Sequence, residues 1–560
     1  MEEAPITPIC KPFAALLAGA LVLPLGAAQA SREDANELSA YARARAADSF
    51  GAADRAAQGY AAALALSPDN EILAARALSQ AMAAGDRALA LSAARILERS
   101  GQLAPDARLL LLTEALRIRD WKAATAQIDL IERDQVFSFM TPVLRAWLAF
   151  GSRKGDPLAI LDAAAVEPLA GAYAKEHRPL MLLALGKEQE GVTQLLAATD
   201  ADGGRSNRLR IAGAALLARK GDRKRALSLL QGDSGPIVAA RKLVEARRPV
   251  PGEIYSAAAG VGEFLVRVAI DLHRQNVTPL ALTYARLATF LAPENSETWL
   301  VTSELLAARE QRTEALAVLA NIRPDDPFAG GVSDSRIKLL VASGNQQAAL
   351  AQALEAVKAP SPGVSDWSRL GDLYSELDRP SEAATAYRNA IALAKAGGEG
   401  APEWTLWLLH GGALHEAGDW PGAKTALEAA YKLAPEQPVV LNYLGYAQLE
   451  RRENLAEAEK LIQEASRLQP DDAAITDSLG WTYFIRGNVP KAIELLERAV
   501  AGQPADPAIN EHLGDAYYAA GRRYEARYAW EAALLNAEKD AAQRLRAKIE
   551  AGLTPKLASP

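Results

Sequence analysis

The sequence predicts an all-α solenoid, and three observations lead there. At 560 residues the chain is too long for one ordinary hydrophobic core. Half of its residues are apolar but only 6% are aromatic, alanine is frequent, and no run alternates as a strand does, which favours small-residue helix packing. The third observation is self-similarity. "ITDSLGWTYFIRGNVPKAIELLERAV" returns 34 residues later as "AINEHLGDAYYAAGRRYEARYAWEAAL", with Leu513, Gly514, Tyr517, Gly521 and Ala526 matching Leu479, Gly480, Tyr483, Gly487 and Ala492.

Residues 1–30 stand apart. Lys11 precedes the apolar run "FAALLAGALVLPLG", and Ala28, Gln29 and Ala30 supply the small-residue site before Ser31, so a secretory signal peptide is expected. The run is short for a membrane span. The only cysteine, Cys10, lies before that run, so no lipid anchor is expected and the mature chain has no thiol for a disulfide or a metal. The formal charge of −7 hardly changes when Glu2, Glu3 and Lys11 are removed, and gives no reason to expect a nucleic-acid partner.

Residues 31–232 carry the repeat weakly, with starts near Glu37, Glu71, Pro105, Phe139, Tyr173 and Asn207, and with Gly51, Gly85 and Gly221 at inter-helix turns. The phase then slips. The Pro- and Gly-containing stretch 233–261 is expected to be a joint between two arrays. Residues 262–540 carry the repeat strongly, with starts near Gly262, Ser296, Gly330, Val364, Trp404, Pro438, Ala473 and Pro507. Residues 541–560 are read as the end of a terminal helix and a frayed tail.

The copy "WSRLGDLYSELDRPSEAATAYRNAIALA", with Trp367, Leu370, Gly371, Tyr374, Ala383, Tyr387 and Ala390, resembles the tetratricopeptide repeat signature. That resemblance implies a right-handed superhelical solenoid of helix-turn-helix units that binds partner proteins in a concave groove. In such a unit Leu479, Gly480 and Tyr483 face the second helix, and Gly480 lets that helix approach closely. More narrowly, "NYLGYAQLERRENLAEAEKLI", "DSLGWTYFIRGN" and "HLGDAYYAAGR" are similar to the carboxy-terminal ends of long bacterial envelope repeat proteins. Some of those are adaptors that deliver and activate a carboxy-terminal processing protease. The resemblance thus implies a periplasmic or envelope-associated scaffold, with a periplasmic protease as one partner. A component of an envelope assembly or polysaccharide-export machine is the alternative.

No cofactor is expected and no enzyme motif survives its context. "GDSGP" at Gly232–Pro236 resembles a serine-protease nucleophile motif, but Ser234 follows a helical run and only His177 precedes it, so a turn is the better reading. His410 and His415 are five residues apart, the wrong spacing for helical metal chelation. From Arg205 to Arg248 there are twelve Lys or Arg against Asp222, Asp233 and Glu245. Such an excess fits either the solvated side of the joint or a peripheral contact with a membrane or an anionic glycan.

Helix geometry then nominates a partner groove in the last three repeats, on the face turned away from the second helices. Its residues are Asn442 and Tyr446, then Asp477, Trp481 and Phe484, then Glu511, Asp515 and Tyr518. An aromatic stripe edged by acids would take a segment with apolar anchors and Lys or Arg beside them.

Overall fold

The computed structural model describes residues 32–560 apart from 202–204, 233, 360–361, 398–401, 555–556 and 558–560, so the expected signal peptide lies outside the described residues. Among the described residues there are thirty α-helices and no strand. No helix among them is long and apolar enough to cross a membrane.

The pairing rule of the helices comes from the repeat residues. A methyl group at Gly480 would stand 2.8 Å from Leu496 of the second helix, at Gly371 2.5 Å from Tyr387, and at Gly514 2.4 Å from Trp530. Each glycine therefore seats one bulky side chain at the equivalent place of its partner helix. The close approach expected of Gly480 is real, and it is made by a side chain rather than by backbone. Gly487 and Gly521 take φ of 82° and 80° in the turns, where a Cβ would be strained. Asp472, Asn488 and Asp506 then cap the helices that follow by accepting from backbone N–H groups.

The chain forms two compact units. One comprises residues up to Ala201 together with Gly252–Leu305, and the other Asp202–Pro251 together with Leu306–Pro560. This division differs from the expected arrays of 31–232 and 262–540 separated by a joint at 233–261. Residues 202–232 join the carboxy-terminal repeats, and the helices Ala257–Arg274 and Thr278–Leu291 join the amino-terminal ones.

The reason lies in the surface of that helix pair. It packs against the first helices of four successive amino-terminal repeats, Glu71–Ala84, Arg108–Arg117, Thr141–Ser152 and Pro168–Ala184. Val261, Phe264, Leu265, Val266, Val268 and Ala269 are all buried and spread over more than half of the first helix's circumference, so it needs cover on more than one side. Trp147 fits against Gly260, where a Cβ would come within 2.1 Å of its ring. The ring of Tyr173 meets that of Phe264 edge-on at 5.3 Å, and the Tyr173 hydroxyl donates to Asp271 over 3.0 Å. Arg286 donates to the Ala83 carbonyl at the end of Glu71–Ala84 over 2.8 Å. The face of the first helices in this unit is thus filled by the chain itself.

The carboxy-terminal end also departs from expectation. The helix Lys539–Ala551 is packed, with Leu545 and the whole of Lys548 inaccessible. Leu553 joins the cluster of Trp530 and Leu545, so the residues just beyond the helix are not a frayed end.

Candidate functional site

The eight nominated residues stand on three successive first helices, Pro438–Glu450, Ala473–Ile485 and Pro507–Ala519, as expected. They do not line an open groove. Asp477, Trp481, Glu511 and Asp515 are buried, whereas Asn442, Tyr446, Phe484 and Tyr518 are half-buried. Trp481 is sandwiched, stacked on Phe484 at 4.7 Å and on His512 at 4.2 Å, with 13° between the planes in each case. The expectation of an accessible aromatic stripe is corrected here, because neighbouring first helices close on one another and use the aromatics as core.

The acids are equally occupied. His512 lies 3.0 Å from both carboxylate oxygens of Asp477. Burial opposes a charge on His512, but the Asp477 carboxylate outweighs it and holds the imidazole above its ordinary pKa. Arg544 binds Glu511 through two hydrogen bonds of 2.7 and 2.8 Å. The Lys548 ammonium reaches Glu511 at 2.7 Å and Asp515 at 2.8 Å, and Trp530 donates to Asp515 over 2.9 Å. Burial alone would raise the Glu511 pKa, yet Arg544 and Lys548 bring it down to about 2. A segment with Lys and Arg beside apolar anchors does sit on these acids. It is the chain's own terminal helix.

The acidic row continues toward the amino terminus, where it is open. Counting from the glycines that seat the second helices, Asp372 and Asp515 share one repeat position, and Glu376, Glu416 and Glu450 another. Asp372, Glu376 and Glu416 are exposed, with Leu408, Asn442 and Tyr446 half-buried among them. Burial raises the pKa of Asp372, Glu416 and Glu450. Tyr387 donates to Asp372 over 2.8 Å, and His415 stands 3.5 Å from Glu450 with its own pKa lowered by burial. The sequence reading missed this stretch because it followed the aromatics; the recurrence of carboxylates at fixed repeat positions would have located it.

The basic segment 205–248 is spent largely on the fold. Arg205 and Arg208 are buried. Arg210 donates to the carbonyls of Leu229 and Gln231, Arg241 to those of Leu230 and Gly232, and Arg223 to that of Glu245, so these guanidiniums finish helix ends. Arg248 pairs with Asp325 at 2.6 Å. Ser234 precedes the helix Gly235–Glu245, and its hydroxyl donates to Asn207 over 3.1 Å.

Helix pairs that recur at about 34 residues, with Gly371, Gly411, Gly445, Gly480 and Gly514 each lying under one bulky residue of the partner helix, decide the architecture. The fold is an α-helical solenoid of tetratricopeptide-type helix pairs. The family model for the cilia and flagella-associated protein 70 C-terminal domain matches residues 332–548, most of the strongly periodic region. A TPR repeat-containing protein of Pseudomonas aeruginosa is 42% identical over 55 residues, which are 10% of this chain and 9% of that protein. Among solved structures, a tetratricopeptide repeat protein from Parabacteroides merdae is 15% identical, with 45% of this chain and 96% of that one covered at a TM-score of 0.39. A chain of the APC/C hetero-tetramer Cut9-Hcn1 is 16% identical, with 94% and 92% covered at a TM-score of 0.34. Tetratricopeptide repeats are protein-interaction scaffolds in general, so the open acidic row is the surface to consider for a partner.

Proposed function

We propose that this protein is a non-enzymatic periplasmic adaptor whose acidic row, from Val364 to Glu450, holds a basic helical segment of a partner protein. One observation carries the reading: two repeats further on, the acids Glu511 and Asp515 of Pro507–Ala519 already hold the basic helix Lys539–Ala551 through Arg544 and Lys548. Asp372, Glu376 and Glu416 offer similar charge, and no salt bridge to any of the three is found among the described residues, although Arg369 stands near Asp372. The leader-like residues 1–30 support export. The likeness of the last three repeats to envelope adaptors supports a carboxy-terminal processing protease as the partner.

Binding is tested with an end-blocked, labelled peptide of the sequence 539–551 added to the full chain, followed by anisotropy. Binding should weaken about tenfold in the triple variant Asp372→Asn, Glu376→Gln, Glu416→Gln, and should fall with added salt. Unchanged affinity in that variant overturns the acidic-row reading. The protease reading is tested by the cleavage rate of the purified protease with and without this protein. The mass of the native amino terminus tests export, with Ser31 expected as the first residue.

A further inference from the structure

The unit whose first helices are filled by Ala257–Arg274 and Thr278–Leu291 has several recesses, one of which, of about 570 Å³, involves that inserted helix pair. It lies at the turns of successive repeats and the start of Ala257–Arg274, and is lined by Trp121, Phe150 and Tyr255 together with Arg119 and Arg153. Its volume lies within the roughly 300–1,000 Å³ of small-ligand sites. Gly151 makes the recess possible. A Cβ there would stand 2.8 Å from both the Trp121 ring and Ala257, so the absence of one lets the indole approach the helix end closely.

The two arginines occupy equivalent places one repeat apart. Both have left-handed backbone, φ 61° at Arg119 and 57° at Arg153, where the neighbouring repeats have Gly85 and Gly51. Neither guanidinium has an ion-pair or hydrogen-bond partner among the described residues. The acids next to them in sequence are turned to helix ends: Asp120 accepts from the N–H of Ala123, and Asp156 from those of Leu158 and Ala159. Two unpaired, exposed cations therefore flank an aromatic-lined hollow.

We infer that this recess binds a protein segment in which an aromatic or branched apolar side chain is flanked by carboxylates. The apolar side chain enters between Trp121, Phe150 and Tyr255, and the carboxylates meet Arg119 and Arg153. Charge complementarity selects this occupant, since each guanidinium offers a planar fork suited to a carboxylate. The inference rests on the adaptor reading only in taking the ligand to be a protein segment. It makes the adaptor bivalent, with a basic ligand at the acidic row and an acidic one here.

The test uses the full chain and an end-blocked fluorescent heptapeptide with Phe between Asp and Glu, against the same peptide with Asn and Gln in their place. The acidic peptide should bind about tenfold more tightly than its neutral counterpart, and the double variant Arg119→Gly, Arg153→Gly should abolish that difference. Glycine suits the left-handed backbone at both positions, so the melting temperature of the variant should hold or rise, which separates lost binding from lost folding. Equal binding of the two peptides, no binding of either at millimolar concentration, or an unchanged preference in the double variant overturns the inference. The basic peptide of the preceding test serves as the internal control. Loss of acidic-peptide binding alone condemns the recess and leaves the acidic row standing, and the reverse result condemns the row and leaves the recess.

Discussion

Lys548 and Asp515 are in direct contact, Nζ 2.8 Å from both carboxylate oxygens, where neither side chain is accessible to solvent. The pair ties the terminal helix to the last complete repeat. A solenoid end otherwise exposes the apolar face that the next repeat would cover, and Leu545 covers it here against Trp530 and Ala533.

Breaking that pair from one side should be costly. Lys548→Ala leaves the buried Asp515 carboxylate without its cation, while Glu511 keeps Arg544, and should destabilise the terminal repeats by about 3–5 kcal/mol. The double change Lys548→Met, Asp515→Asn removes both charges and should cost clearly less. Denaturant unfolding of the three proteins makes the comparison, and an equal or larger loss in the double variant would count against the account.

Trp481→Ala should behave as a core deletion. With the indole stacked between Phe484 and His512, about 3–5 kcal/mol should be lost and the melting temperature should fall. A preserved melt in the variant would restore the original idea of an accessible aromatic stripe.

The closed carboxy-terminal end should be most stable in mildly acidic solution. The Glu511 pKa falls from 4.5 to about 2 on folding, so its contribution is present above pH 4.5 and lost as the pH falls toward 2. His512 is raised above 6.5, so its contribution is full below pH 6.5 and lost as the pH rises through the folded value. The carboxyls of Asp372, Glu416 and Glu450, raised by burial, act in the opposite sense to Glu511 and cost stability as the pH rises through their folded values. Hydrogen exchange over 507–551 reads the local effect. His512→Gln should flatten the neutral-pH limb and Glu511→Gln the acid limb.

Two glycines in the last repeat should fail for different reasons. Gly514→Ala drives a methyl into the Trp530 ring and should cost about 1–3 kcal/mol through overpacking. Gly521→Ala meets nothing within 4 Å but keeps φ near 80°, and should cost about 1 kcal/mol of backbone strain. Replacing Trp530 by Leu should relieve the first and leave the second unchanged, which a double-mutant cycle checks.

Much of the fold was legible because it is local. A 34-residue period, a glycine beneath a bulky residue and turn glycines such as Gly487 act within one helix pair, so the sequence alone determined the helices, their pairing and the all-α class. What it could not decide was which surfaces stay open. Asp477, Trp481 and Glu511 stand on first helices as expected, yet His512, Arg544 and Lys548 that cover them lie 31 to 37 residues away, beyond the reach of any one pair. Likewise nothing in the repeat phase of Gly262 said that its helix would pack among Trp147, Tyr173 and His177. Repeat residues specify nearest-neighbour packing. Occupation of a face depends on the return of distant chain to it, and only the tertiary structure decided that, because a surface is buried by whichever segment covers its apolar and charged groups with least loss.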